Sequence, residues 1–365
     1  MAKLRYRLTS WKLIPRSLNG SALRRAAGGF LPIQARCASE CEPGLRHSLA
    51  RRACIRSCLR KSPSSARLTS VETPLTYCFG AHMSIAGGLH LAAERAGELG
   101  CDCVQIFTKN NNQWNCKPIT SAEATQFRET VAKLKLQSAI AHTSYLINLA
   151  SPDDLLWRKS IDALVVEWQR AEQLELSGLV LHPGAHMTST PEEGIARIIE
   201  AVRKAVNVTQ PKMCRLLLEN TAGQGSALGW QFDQLGKLLR GIDLPSHVGT
   251  CFDTCHAFAA GYDFRTASGL KSMLKTFDEQ VGLQHLYAIH INDSKKGCGS
   301  RVDRHEHIGH GEIGEQGLTL FLKAKHIKSL PMFLETEKGI DEASGQEWDA
   351  INLSALRKLV GRQEQ

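Results

Sequence analysis

From Tyr77 onward the chain alternates between short apolar runs and longer stretches in which apolar residues recur every three or four positions. The short runs predict strands over 77–82, 103–107, 138–142, 178–182, 215–219, 248–253, 286–291 and 331–335. They are apolar at nearly every position, as parallel strands buried on both faces should be. The stretches between them predict helices near 86–99, 121–136, 154–175, 192–206, 231–240, 265–280, 315–325 and 346–361. In the helix at 154–175, Leu155, Ile161, Leu164, Val165, Trp168, Ala171 and Leu174 fall close to the helical period, and Ser151-Pro152-Asp153 forms a good start signal. Eight strand–helix units predict an α/β protein, a single (β/α)8 TIM barrel over 76–365. The units share no sequence, which argues against a solenoid. The longest connection without a helical pattern is 292–314, and a loop that long in a compact domain is usually functional.

The apolar runs end in a consistent way. Seven of them finish, within a residue or two, at His82, His142, His182, Glu219, Asp253, His290 and Glu335. A parallel barrel places its active site at the C-terminal ends of its strands, so these residues read as a ring of metal ligands. His256 follows Asp253 by three positions, and Asp303 and His305 lie two apart in the long loop. Taken singly, each has a bland explanation: a hydrogen-bonded histidine, a helix-start acid, a solvated charged loop. Those explanations do not predict that all lie on one face of one barrel. Nine ligands (His142, His182, Glu219, Asp253, His256, His290, Asp303, His305 and Glu335) are too many for one ion and suit two or three. Glu219, at the fifth strand, is placed to bridge two ions.

Charge separates off the N-terminus. Residues 1–72 carry 15 Lys and Arg against three acids, whereas the remainder is slightly acidic, at −3. The first 75 residues are Arg- and Ser-rich and acid-poor, and form a basic extension expected to be disordered. Leu4, Leu8 and Trp11 mark a short basic amphipathic helix ended by Pro15, which fits a mitochondrial transit segment. A basic tail serving as a nuclear address is the alternative. Reduced thiols are expected for the 12 cysteines, although Cys37/Cys41 and Cys54/Cys58 leave open a zinc or disulfide clip. No run approaches the roughly 18–20 apolar residues needed to cross a bilayer. The acidic body is a poor match for DNA until bound divalent cations reverse its sign locally.

Several strings carry a resemblance: His142-Thr-Ser-Tyr-Leu-Ile-Asn, Glu219-Asn-Thr-Ala-Gly-Gln-Gly, Asp253-Thr-Cys-His256-Ala-Phe-Ala-Ala-Gly-Tyr, His290-Ile-Asn-Asp and Ser300-Arg-Val-Asp-Arg-His305. Over about 77–340 the chain resembles the endonuclease IV family of apurinic/apyrimidinic endonucleases. The resemblance implies a barrel with three zinc ions that cuts double-stranded DNA 5′ to abasic sites, leaving a 3′-hydroxyl and a 5′-deoxyribose phosphate. It also implies trimming of blocked 3′ ends, and a monomer. It assigns His142 and His182 to the first ion and makes Glu219 the catalytic carboxylate bridging the first and second. Asp253, His290 and Glu335 complete the second, and His256, Asp303 and His305 hold the third. A hydroxide held between the first two ions is then the attacking group. His82 is placed just behind the ligands, and His307 and His310 match no ligand position. Tyr145 and Leu146 match the loop that penetrates DNA. Asn112 stands where the family often has an Arg that helps to enter the base stack, so weakened DNA binding is expected there.

Two other readings remain. A sugar-isomerase-like barrel would call for a catalytic Lys and a carboxylate-rich rather than histidine-rich set. A non-catalytic binder of damaged DNA would be expected to have lost ligands, and none is missing.

Overall fold

The computed structural model describes residues 77–361. The basic stretch around Leu4, Leu8 and Trp11 and the pairs Cys37/Cys41 and Cys54/Cys58 lie outside the described residues.

All eight expected strands are present: β1 (Cys78–Met83), β2 (Cys103–Phe107), β3 (Ser138–His142), β4 (Gly178–Leu181), β5 (Arg215–Glu219), β6 (Val248–Asp253), β7 (Leu286–His290) and, after two short strands, β10 (Pro331–Leu334). They pair in parallel throughout and close in the order β1-β10-β7-β6-β5-β4-β3-β2. Every strand therefore ends on the same rim, which is the geometric precondition for the site. Inside the barrel Cys78, Cys103, Ile140, Val180, Leu217, Cys251, Ala288 and Phe333 form a packed plug. A larger apolar layer fills the space between strands and helices, which is why the strands have no polar face.

The surrounding helices are α1 (Leu89–Glu98), α2 (Ser121–Lys133), α3 (Asp154–Gln173), α4 (Pro191–Thr209), α5 (Phe232–Ile242), α6 (Thr254–Ala260), α7 (Ala267–Gln280), α8 (Gly314–Leu322) and α9 (Trp348–Leu359). Local chemistry sets their ends. Thr120 with Glu123 and Thr190 with Glu193 form capping boxes, and Asp153 caps α3 by accepting from Leu156 N at 2.9 Å. α1 starts three residues later than its pattern predicts, because Gly87 and Gly88 have φ of 87° and 152°. Leu155 does not join the buried stripe of α3 and is 79% exposed. It precedes Ile161 by about one and two-thirds turns, which carries it off the packed face.

Three short elements around the rim were not anticipated. The short helix α6 follows β6 directly, capped by Asp253 and ended by Gly261 at φ 109°. The 292–314 connection contains an antiparallel pair, β8 (Asp293–Ser294) with β9 (His305–Glu306). Among the described residues, no helix is long and apolar enough to cross a membrane.

Candidate metal centre

The rim of the barrel gathers all nine expected ligands. His142, Glu219, Asp253 and His290 are the last residues of β3, β5, β6 and β7, while His182 and Glu335 follow β4 and β10 by one position. His256 sits in the first turn of α6, three residues from Asp253, and the β8–β9 loop returns Asp303 and His305 to the same place.

Glu219 is buried at the centre and its two oxygens face different pairs of imidazoles. Oε2 lies 3.3 Å from His142 Nε2 and 3.1 Å from His182 Nε2. Oε1 lies 2.9 Å from His290 Nδ1 and 3.1 Å from His256 Nδ1. Beyond His290, Glu335 Oε2 is 3.2 Å and Asp253 Oδ2 is 4.0 Å from its Nδ1. His305 Nε2 stands 3.6 Å from both Asp303 Oδ1 and Asp253 Oδ2. Three donor sets emerge, each with its ligand atoms within 4.8 Å of one another: His142, His182 and Glu219; Glu219, Asp253, His290 and Glu335; His256, Asp303 and His305. A further set, Asp253, Cys255 and His305, overlaps these. Burial pushes the Cys255 thiol up to about 12, and its Sγ donates to Arg304 O at 3.5 Å, so it is held as a neutral, poor ligand.

The ring nitrogens suit a cation. His142 Nδ1 donates to Thr143 O at 2.7 Å, His256 Nδ1 to Asn220 O at 2.9 Å and His305 Nδ1 to Glu335 O at 3.1 Å. Each backbone carbonyl fixes one nitrogen as the donor and leaves Nε2 as the free lone pair. The Nε2 atoms of His256 and His305 are buried without a hydrogen-bond partner among the described residues. His256 Nε2 is 3.2 Å from Asp303 Oδ2, near enough for charge attraction but not aligned as a hydrogen bond. Buried polar atoms are rarely left in that state unless something else meets them.

The electrostatics agree. Burial works against charge on Glu219 and Glu335, yet His290 foremost among the neighbouring imidazoles holds both well below the ordinary carboxylate range. Burial lowers His256, but Asp253 and Asp303 raise it well above its usual value. This cluster of buried acids calls for positive charge, which protons on the imidazoles or, at the free Nε2 lone pairs, divalent cations would supply. A nitrogen- and oxygen-rich donor set of this kind fits zinc.

His82 lies beside the cluster, with Nδ1 3.5 Å from Glu335 Oε1. Tyr145 is 57% exposed and its ring lies 5.2 Å from His142 and 5.8 Å from His182, directly over the cluster. Leu146 is half-buried, so of the two residues matched to the DNA-penetrating loop Tyr145 alone is exposed; the β3 connection turns inward at Ile147, which is in the core. Asn112 is exposed at the tip of a neighbouring turn, its amide held by Asn110 Oδ1 at 2.9 Å. A cavity of about 430 Å³ opens between these loops, lined by His82, Phe107, Asn111, Tyr145 and Glu335.

Sequence reasoning missed the residues that hold this arrangement in place. Asn292 Nδ2 donates to Asp253 Oδ2 at 2.7 Å, and Asn220 pairs with the Asp253 backbone in both directions. Buried Lys109 and Glu167 form an ion pair at 3.3 Å. Glu167 also accepts from Ser144 N at 3.0 Å, and Lys109 donates to Gln113 O at 2.5 Å, so one pair ties together the turns carrying Asn112 and Tyr145. Lys109→Met with Glu167→Leu, which removes both charges together, is expected to loosen both loops and raise KM by about tenfold for a substrate bound at this rim, with kcat nearly unchanged. Steady-state kinetics check this, and an equal fall in kcat would refute it. No local pattern marks these residues, since each takes its role from partners distant in sequence.

A profile described as a xylose isomerase-like TIM barrel matches residues 93–358. The chain is 45% identical over 283 residues to a protein named probable endonuclease 4 from Geobacter sulfurreducens, covering 78% of this chain and 94% of that one. It is 44% identical over 282 residues to a protein of the same name from Chloroflexus aurantiacus, covering 77% and 98%. Among solved structures, endonuclease IV from Thermus thermophilus superposes with a TM-score of 0.69 at 37% identity, covering 78% of this chain and 98% of that one. A D-tagatose 3-epimerase-like protein superposes with a TM-score of 0.58 at 18% identity over 78% of this chain and 97% of its own, a likeness of fold alone.

Proposed function

Since this chain belongs to the endonuclease IV family and is a nuclease, we propose that it hydrolyses the phosphodiester 5′ to abasic sites in double-stranded DNA. The products are a 3′-hydroxyl and a 5′-deoxyribose phosphate, and blocked 3′ ends are further substrates. The observation that carries this reading is the division of Glu219, one oxygen toward His142 and His182 and the other toward His290 and His256.

Three zinc ions fit the three donor sets, with Glu219 shared between the first two. When bound, they supply Lewis-acid stabilisation of charge on a phosphodiester and activation of water near neutral pH. The chain's own part is to hold the ligands. Backbone carbonyls fix the imidazole tautomers, Asn292 and Asn220 hold Asp253, and the β8–β9 pair brings Asp303 and His305 over the rim. Exposed Tyr145 is positioned to fill the gap in a base stack. An abasic nucleotide has no base to unstack, so its extrusion costs less than the few kcal/mol of an ordinary flip, which favours damaged DNA.

The test is an end-labelled duplex with one stable abasic analogue, incubated with zinc-loaded and metal-stripped protein. Metal-dependent incision 5′ to the lesion with an extendable 3′ end is expected. Binding without incision by zinc-loaded protein would leave a damage-binding protein instead.

Asn112→Arg is expected to lower KM for that duplex by about threefold to tenfold, the worth of one added cation contact, without changing kcat. A change in kcat at unchanged KM would count against a DNA-contacting role. The segment 1–75 is proposed to direct the protein to mitochondria, and a fluorescent fusion of residues 1–75 found in the nucleus would favour the alternative.

A further inference from the structure

Gln105 is the one polar residue of β2 and is fully buried. A carboxamide in that position must find partners or destabilise the barrel by several kcal/mol. It finds three. Its Oε1 lies 2.8 Å from His290 Nε2. Its Nε2 lies 2.5 Å from Glu335 Oε1 and 3.0 Å from His82 Nδ1. The orientation of the amide follows from these neighbours. Reversed, its oxygen would meet the Glu335 carboxylate at 2.5 Å, oxygen against oxygen with no proton between them.

This orientation sorts the atoms of two proposed ligands. The amide oxygen accepts the Nε2 proton of His290, so Nδ1 is the nitrogen that faces Glu219 Oε1 at 2.9 Å and Glu335 Oε2 at 3.2 Å. The amide nitrogen engages Oε1 of Glu335 and leaves Oε2 toward the cluster. His142, His256 and His305 are oriented by backbone carbonyls, whereas His290 depends on a side chain. We infer that Gln105 is the positioning residue of the second ion's site, setting both the ring nitrogen of His290 and the free oxygen of Glu335. The inference rests on the three-ion reading above.

Two variants of the full chain test it. Gln105→Met keeps the length and removes the polarity; Gln105→Asn keeps the amide but is one methylene too short to reach. Zinc affinity is read by competition with a chromophoric chelator, and incision is followed at limiting and at saturating zinc. In both variants one bound zinc is expected to weaken by about 10–100-fold. The turnover number falls at limiting zinc and recovers when zinc is added, with KM for the abasic duplex unchanged. A merely structural defect would weaken all the bound zinc ions together rather than one. Should Gln105→Met fail to fold, Gln105→Asn decides. Wild-type zinc affinity in a folded variant, or a loss of incision that zinc does not restore, overturns the inference. Wild-type protein that takes up no zinc overturns the metal reading together with it, whereas wild-type protein that binds zinc without incising overturns only the proposed activity.

Discussion

Under the proposed function, Glu219→Gln is expected to lower incision of an abasic duplex by about a thousandfold or more, since several kcal/mol of metal-derived charge stabilisation would depend on it. The substitution is nearly isosteric, so the packing of β5 is kept. What changes is charge and acceptor count. The carboxylate faces His142 and His182 with one oxygen and His290 and His256 with the other. An amide has only one oxygen, so in either orientation its NH2 group faces one of those pairs and blocks a lone pair that a cation would need. Glu219 also belongs to two of the three donor sets, so zinc content should fall from three per chain toward one. Single-turnover incision and elemental analysis of dialysed protein check the two parts separately. Activity within tenfold of wild type, with zinc content unchanged, would remove Glu219 from the centre of the mechanism.

Asp293→Ala is expected to destabilise the protein by about 3–5 kcal/mol, since it leaves several buried backbone N–H donors without their shared acceptor. Asp293 is fully buried, and burial raises its pKa. Backbone N–H groups pull the other way: those of Ser294 at 2.8 Å, Gly309 and Gly311 at 3.1 Å, Ile313 at 2.9 Å and Gly314 at 3.2 Å all donate to its carboxylate. The turn at 309–314 is wrapped around this one side chain. Gly311 approaches so closely that a Cβ there would lie 2.5 Å from Asp293 Oδ1. Alanine would strand these donors at about 1–3 kcal/mol each before local rehydration recovers part of the loss. Asp293 also begins β8, whose partner β9 carries His305. The variant should therefore lose the third donor set, and with it one zinc, as well as stability. Urea unfolding and zinc analysis measure both, and an unchanged unfolding midpoint would show that the turn stands without its anchor.

Much of this protein is legible along the chain because its information is local. Each of the eight strands is a short apolar run, and burial on both faces leaves no other element of that length so uniformly apolar. A parallel barrel then places every strand end on one rim, so residues scattered from His142 to Glu335 become neighbours once closure is granted. The short elements were harder to see. α6 spans seven residues and depends on one cap and one left-handed glycine, and the β8–β9 pair is two residues long, too little for a periodic signal. Leu146 resembles Tyr145 in the chain, but the path of the turn exposes one and half-buries the other.

The supporting residues lay beyond reach for a different reason. Gln105, Glu167 and Asn292 carry no pattern of their own, and each acquires its role only from partners distant in sequence: Gln105 from Glu335, Glu167 from Ser144, Asn292 from Asp253. The strand-end residues proposed as ligands could be read in advance because strand ends are set by nearest neighbours. Which nitrogen of His290 faces the centre, and which oxygen of Glu219 serves which pair, depend on hydrogen-bond directions that exist only after the barrel has closed.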